Sequence, residues 1–118
     1  MKALWLVSFR PIGKSKSNDF YQSIFVDSVK SINFDITFSL TQFEEENVEN
    51  FINKKNIKCF YENISKSQLP KYKKYSNKIM LDNALNQYLD NNNDFQYLIY
   101  STADIIVPNN LFEILNKI

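Results

Sequence analysis

The run Tyr97-Leu98-Ile99-Tyr100-Ser101-Thr102-Ala103-Asp104-Ile105-Ile106-Val107-Pro108 holds the most usable chemistry in this chain. An apolar stretch passes into two hydroxyls and a carboxylate, then into a second apolar stretch. A carboxylate just past a buried strand is well placed to hold Mg²⁺ or Mn²⁺ against a diphosphate. Such hard cations take oxygen ligands and leave positions for substrate phosphates. Asp104 is that carboxylate. It could equally cap a turn by accepting backbone N–H bonds, and the segment by itself leaves the two readings level.

Other charged groups offer weaker signals. Arg10, Lys14 and Lys16 crowd a loop near the start, with Ser15 and Ser17 between them. Arg10 can pair with a diphosphate bidentately, although an ordinary solvated loop is the preferred reading on the residues alone. Lys71, Lys73, Lys74 and Lys78 interleave with Tyr72 and Tyr75, a mixture that can track a nucleic-acid backbone. An exposed cationic helix face accounts for it better. Glu44, Glu45 and Glu46 are best explained as first-turn residues that favour a helix dipole. Cys59 sits in an apolar run with no histidine to activate it, so an inert thiol is expected.

Composition removes several classes. The 118 residues contain no histidine, the commonest general base and metal ligand. They contain one glycine, Gly13, so neither a dinucleotide fingerprint nor a Walker loop can be written. A formal charge of +1 gives no electrostatic reason to expect nucleic acid as a partner. The hydrophobic fraction of 44% supports a packed core, yet no run reaches the ~18 apolar residues of a membrane span. Residues 3–9 are too short for a signal peptide and lack a small-residue cleavage site, so they read as a strand. A single cysteine forbids an internal disulfide and fits a reducing compartment. A cytoplasmic protein, peripheral to a membrane at most, is expected.

The elements that must position these groups follow from periodicity. Residues 3–9 form a nearly continuous apolar run, as in a strand buried on both faces. Ser17 or Asn18 caps a helix running to about Ile32, with Phe20, Ile24, Phe25, Val29 and Ile32 inward. Residues 35–40 are a second strand. Thr41-Gln42-Phe43-Glu44 has capping-box spacing for a helix with Val48, Phe51 and Ile52 as its stripe. Residues 57–61 are a third strand, followed by a polar connection, residues 62–69. Residues 70–91 are the longest helix, residues 95–100 the fourth strand, and Pro108 starts a last short helix through Leu111, Leu115 and Ile118. Strands alternating with helices predict an α/β domain, a mostly parallel sheet and right-handed crossovers. Ligands in such sheets bind beyond the carboxyl ends of the strands. That rule points at residues 9–17, 41–43 and 101–109.

The segment Thr102-Ala103-Asp104-Ile105-Ile106-Val107-Pro108-Asn109 resembles the Asp-x-Asp region of GT-A-fold, family-2-type glycosyltransferases, in which a strand ends in the motif and an apolar pair, Pro and an Asn- or Asp-led helix follow. Lys78 and Asn83-Ala84, in the preceding helix, match a looser part of the pattern. The likeness spans nearly the whole chain as the amino-terminal, nucleotide-sugar-binding half of such an enzyme. It implies a Rossmann-like, mostly parallel four-stranded sheet of order 3-2-1-4 with helices on both faces, in one domain over residues 1–118. It implies a nucleotide-diphosphate sugar as ligand, with Arg10, Lys78, Asn83, Thr102 and Asp104 as its contacts. A divalent cation, Mn²⁺ or Mg²⁺, would be held by Asp104, and a glycan of unspecified kind would be the acceptor.

The chain departs from that pattern in three ways. Thr102 replaces the first acid of the motif. Thr41 and Gln42 stand where an acidic strand end often contacts the nucleoside. The family's catalytic domains are about twice this long, so the half that binds acceptor and supplies the catalytic base is expected to be missing from a truncated or split chain. Catalytic residues are therefore not assigned. The alternative is a non-catalytic nucleotide-binding or protein-interaction module. A receiver-like domain is disfavoured, because Arg10 stands where acidic residues would be needed. With order 3-2-1-4 the fourth strand lies at a sheet edge, and self-association through that edge is expected.

Overall fold

The computed structural model describes residues 2–64 and 95–118. The elements are β1 (Lys2–Ser8), α1 (Lys16–Lys30), β2 (Asp35–Phe43), a 3₁₀ turn (Glu44–Glu46), α2 (Val48–Lys55), β3 (Cys59–Ile64), β4 (Tyr97–Thr102) and α3 (Leu111–Asn116), our numbering running in chain order. The four strands form one sheet of order β3-β2-β1-β4. Every pairing is parallel, with Trp5 opposite Phe38 on one side and Ile99 on the other. The fold is α/β and Rossmann-like, with the expected 3-2-1-4 order.

The central strand explains itself. Ala3, Leu4, Trp5, Leu6 and Val7 are all buried, because β1 has a neighbour on each edge and side chains covered on each face. One face carries Ala3, Trp5 and Val7, packed with Phe25, Val26 and Val29 of α1, Val48 and Ile52 of α2, and Phe112 of α3. Trp5 is its hub: its ring meets Phe25 and Phe38 edge-on at 6.0 and 6.4 Å, and Phe25 stacks on Phe38. The indole N–H donates to Ser101 Oγ at 2.8 Å, so the polar atom of a buried Trp is satisfied by β4. The opposite face buries Leu4 and Leu6, with Phe60 and Phe95 against them. Of the helices expected on both faces, the three described ones all pack on the Trp5 face. The helix expected over residues 70–91 lies outside the described residues.

Several boundaries differ from the sequence reading, each for a local reason. Ser15, rather than Ser17 or Asn18, caps α1: its hydroxyl accepts from Asn18 N–H. Phe20, expected inward, is 61% exposed, and Gln22 takes a core position instead. The expected capping box at Thr41–Glu44 does not form. β2 continues to Phe43, because Thr41, Gln42 and Phe43 pair with Glu62, Asn63 and Ile64 of a longer β3. The glutamates then make a 3₁₀ turn, and Asn47, with φ of 59°, redirects the chain into α2. β4 begins and ends two residues later than expected, so Thr102 is its last residue and Asp104 follows two beyond. The last helix starts at Leu111, after a turn at Asn109 and Asn110.

Candidate functional site

In this sheet the neighbours of β1 are β2, reached through α1, and β4, the last strand. The direction of winding reverses there, which makes the carboxyl end of β1 the expected ligand crevice. A cavity of about 320 Å³ opens at that point. β1 and the loop after it contribute Ser8, Phe9, Arg10 and Pro11. α1 contributes Asn18 and Gln22. Phe43 and Glu46 come from the end of β2 and its turn, and Thr102, Ala103 and Asp104 from the end of β4. The structure thus brings together Arg10, Thr102 and Asp104, three of the five residues singled out from sequence. Lys78 and Asn83 lie outside the described residues. Lys14 and Lys16 do not line the cavity. Ser15 and Ser17 are bonded to each other at the helix cap.

The wall that carries Arg10 is fixed by side-chain amides. Gln42 is fully buried; its Oε1 accepts from Phe9 N–H at 2.8 Å and its Nε2 donates to Phe9 C=O at 3.1 Å. Gln22, 2% exposed, does the same to the next residue: Oε1 accepts from Arg10 N–H at 2.6 Å, and Nε2 donates to Arg10 C=O at 3.3 Å. The two glutamines replace the strand partners that the backbone loses where β1 ends, as buried peptide groups require. Ile12 N–H donates to Glu46 C=O, and Gly13 N–H lies 3.1 and 3.2 Å from the two carboxylate oxygens of Asp19. Gly13 sits at φ of +85°, a conformation few side-chain-bearing residues adopt. The loop after β1 is therefore pinned through the backbone of Phe9, Arg10, Ile12 and Gly13. Pro11, between them, has no N–H to pin.

The structure also supplies an acid that spacing does not single out. By its position before an apolar stripe, Glu46 reads as a helix-dipole residue. It lies instead in the 3₁₀ turn before α2, lines the cavity, and accepts from Gln42 Nε2 at 3.1 Å. Glu46 also has a further interaction. In the structure the chain breaks at the left-handed Asn47, which separates Glu46 from the first turn of α2. Cavity donors from Glu46, Thr102 and Asp104 are all oxygens, the set a hard divalent cation takes. The donor type suits such an ion, but no cluster of three or more His, Cys, Asp or Glu side chains occurs among the described residues.

A second cavity, about 400 Å³, opens at the other end of the sheet, beside Val29, Ile32, Phe34 and the Lys58–Asp35 ion pair. It is larger, but it lies at the amino ends of β2 and β3, where α/β sheets do not place their ligands. The first cavity is the better candidate on topology and on donor chemistry. Cys59 is no alternative: it lies outside both cavities, and burial pushes its thiol up to about 12. No helix among the described residues is long and apolar enough to cross a membrane. Compared with protein-family models, curated proteins and solved structures, the chain matches none.

Proposed function

We propose that this chain is the donor-binding domain of a glycosyltransferase-type protein, taking a nucleotide-diphosphate sugar at the carboxyl end of β1. The observation that carries the reading is the meeting of Arg10, Thr102 and Asp104 around one cavity at the point where the sheet reverses its winding. Asp104 is the residue to hold a divalent cation, with Thr102 beside it and Glu46 across the cavity. Such a cation would neutralise charge on a departing nucleoside diphosphate. Arg10, its backbone locked by Gln22, offers a guanidinium fork suited to phosphate oxygens. The proposed acceptor is a glycan.

Calorimetric titration with UDP, GDP and Mn²⁺ tests the reading. Nucleotide binding that requires Mn²⁺ and is lost in Asp104→Ala is the expected result. Nucleotide binding that persists unchanged without Mn²⁺ and in Asp104→Ala favours the second reading, a non-catalytic nucleotide-binding module. That reading draws on Thr102, which leaves the end of β4 with one acid. Absence of any nucleotide binding sinks both.

A further inference from the structure

The two outer strands of the sheet are defended differently. β3 carries Glu62 and is preceded by Lys58, whose ammonium pairs with Asp35. β4 carries no charge, and none occurs from Phe95 to Ala103. Charged residues are a common device against strand-to-strand association, and β4 has none. Two of its apolar side chains face solvent: Leu98 is 51% exposed and Tyr100 63%. They alternate with Tyr97, Ile99 and Ser101, which face the covered side.

The backbone of β4 can be read from the sheet register. Phe38 N–H donates to Lys58 C=O, so the even residues of β2 bond toward β3 and its odd residues toward β1. With Thr37 opposite Leu4, the odd residues of β1 bond toward β2, and Leu4, Leu6 and Ser8 bond toward β4. Leu4 stands opposite Leu98, so in a parallel ladder it bonds to Tyr97 and Ile99. The N–H and C=O groups of Leu98 and Tyr100 and the N–H of Thr102 therefore point away from the sheet, while the Thr102 C=O already accepts from Ser101 Oγ at 2.9 Å. Among the described residues no strand pairs with that edge.

We propose that β4 is the isologous interface of a homodimer, in which two copies pair antiparallel through the outward backbone groups of Leu98, Tyr100 and Thr102. A second copy fits this edge on three counts. A two-fold axis normal to the sheet sets outward residues against outward residues, so each donor meets an acceptor of the other copy. The neutral strand meets its own image without repulsion. The same axis keeps Leu98 and Tyr100 of both copies on one face, where they cover each other as cross-strand apolar pairs. The product is a continuous sheet of eight described strands, in which Thr102 ends the seam and its side chain lines the cavity at the carboxyl end of β1.

Hydrogen exchange measured by NMR across a concentration series tests the pairing, with light scattering on the same samples. A dimer forms as concentration rises, and the amides of Leu98, Tyr100 and Thr102 slow by about tenfold once nine-tenths of the chain is dimeric. The amides of Tyr97, Ile99 and Ser101 are protected throughout, since they belong to the β1 ladder. Tyr100→Lys and Leu98→Glu, both at exposed positions, give monomers that keep the Ile99 protection. Glu62→Lys on the opposite edge leaves the dimer intact. A monomer at the highest concentration overturns the proposal. So does a dimer in which the three outward amides exchange freely, or an edge whose outward amides are protected at every concentration because another part of the chain already covers it.

Discussion

Gln42 grips the backbone of Phe9 at both its polar atoms, accepting from the N–H at 2.8 Å and donating to the C=O at 3.1 Å. A strand neighbour would make the same pair of bonds. Here a side chain makes them, at the point where β1 leaves the sheet and begins to line the cavity. Gln42→Ala strands two buried peptide groups, and we expect it to lower stability by about 2–4 kcal/mol in urea unfolding. Gln42→Glu keeps the acceptor, keeps one donor only while protonated, and when ionised sets a carboxylate against Glu46. Burial and that neighbour raise the new group's pKa. Its folded form is therefore best tolerated below the ordinary Glu value of about 4.3 and loses stability as pH rises through the raised pKa. The urea midpoint of this variant, relative to the unaltered chain, should fall between pH 4 and pH 7.

The strands of the sheet and the end at which the candidate site lies were legible in the sequence because they rest on strong signals. Residues 3–9 and 95–100 are short apolar runs that read as strands, and their alternation with helical periodicity implies parallel pairing. Asp104 was legible because topology names the strand ends. Gln22 and Gln42 were not. A glutamine on a helix face or near a strand end looks like a solvated residue, and its role as a backbone clamp depends on two chain segments meeting, residues 9 and 42, that no local pattern links. Glu46 escapes notice for a related reason. Three acids before an apolar stripe have the spacing of a helical first turn, and only the pairing of Thr41, Gln42 and Phe43 with β3 carries the strand far enough to displace them. Phe20 falls on the expected inner stripe of α1, but the face that buries Phe25, Val26 and Val29 carries Gln22 instead, and Gln22 bonds the backbone of Arg10.

Gly13 offers a test of whether the loop's shape is set by its backbone alone. A Cβ built at this position meets nothing within 4 Å, so the cost of adding one is conformational and not steric crowding by neighbours. At φ of +85° that cost is about 1–2 kcal/mol for Ala. Gly13→Asn should cost less, since Asn tolerates positive φ better than most side-chain-bearing residues. Urea midpoints that order Gly above Asn above Ala check this. Equal midpoints for all three would mean that the loop relaxes freely and does not hold Arg10.

Cys59 should behave as a masked thiol. Burial pushes it up to about 12, against roughly 8.5 in an unfolded chain. The native thiolate fraction at pH 8 is then lower on the order of 10³-fold, and alkylation should be slow until urea opens the fold. The sign for stability follows from the raised folded value. The stabilisation is complete below about 8.5 and declines as pH rises from there toward 12, because the unfolded chain releases its proton first. Cys59→Ala should remove that part of the alkaline loss, measured as the difference in urea midpoints between pH 8 and pH 10. An identical alkaline loss in both proteins would contradict the assignment.

Thr102 is the residue on which the proposed cation site can be strengthened. It ends β4, lines the cavity with Asp104 two residues on, and stands exposed, so a carboxylate placed there is not buried against an apolar wall. Thr102→Asp adds a second anionic oxygen donor beside the first. Affinity of hard-cation sites rises with ligand charge count, and a gain of about tenfold for Mn²⁺ is expected. The effect should require Asp104: when Thr102→Asp is combined with Asp104→Asn, the gain should vanish. Calorimetry with Mn²⁺ alone reads the metal step, and repeating it with UDP present shows whether metal and diphosphate occupy one site. If Thr102→Asp leaves Mn²⁺ affinity unchanged while Asp104→Asn abolishes it, then Asp104 binds the ion from a direction the end of β4 does not share. If neither change alters Mn²⁺ binding, the carboxylate after β4 serves the turn that leads to Val107, whose N–H donates to Ser28 Oγ at 3.1 Å, and not a metal.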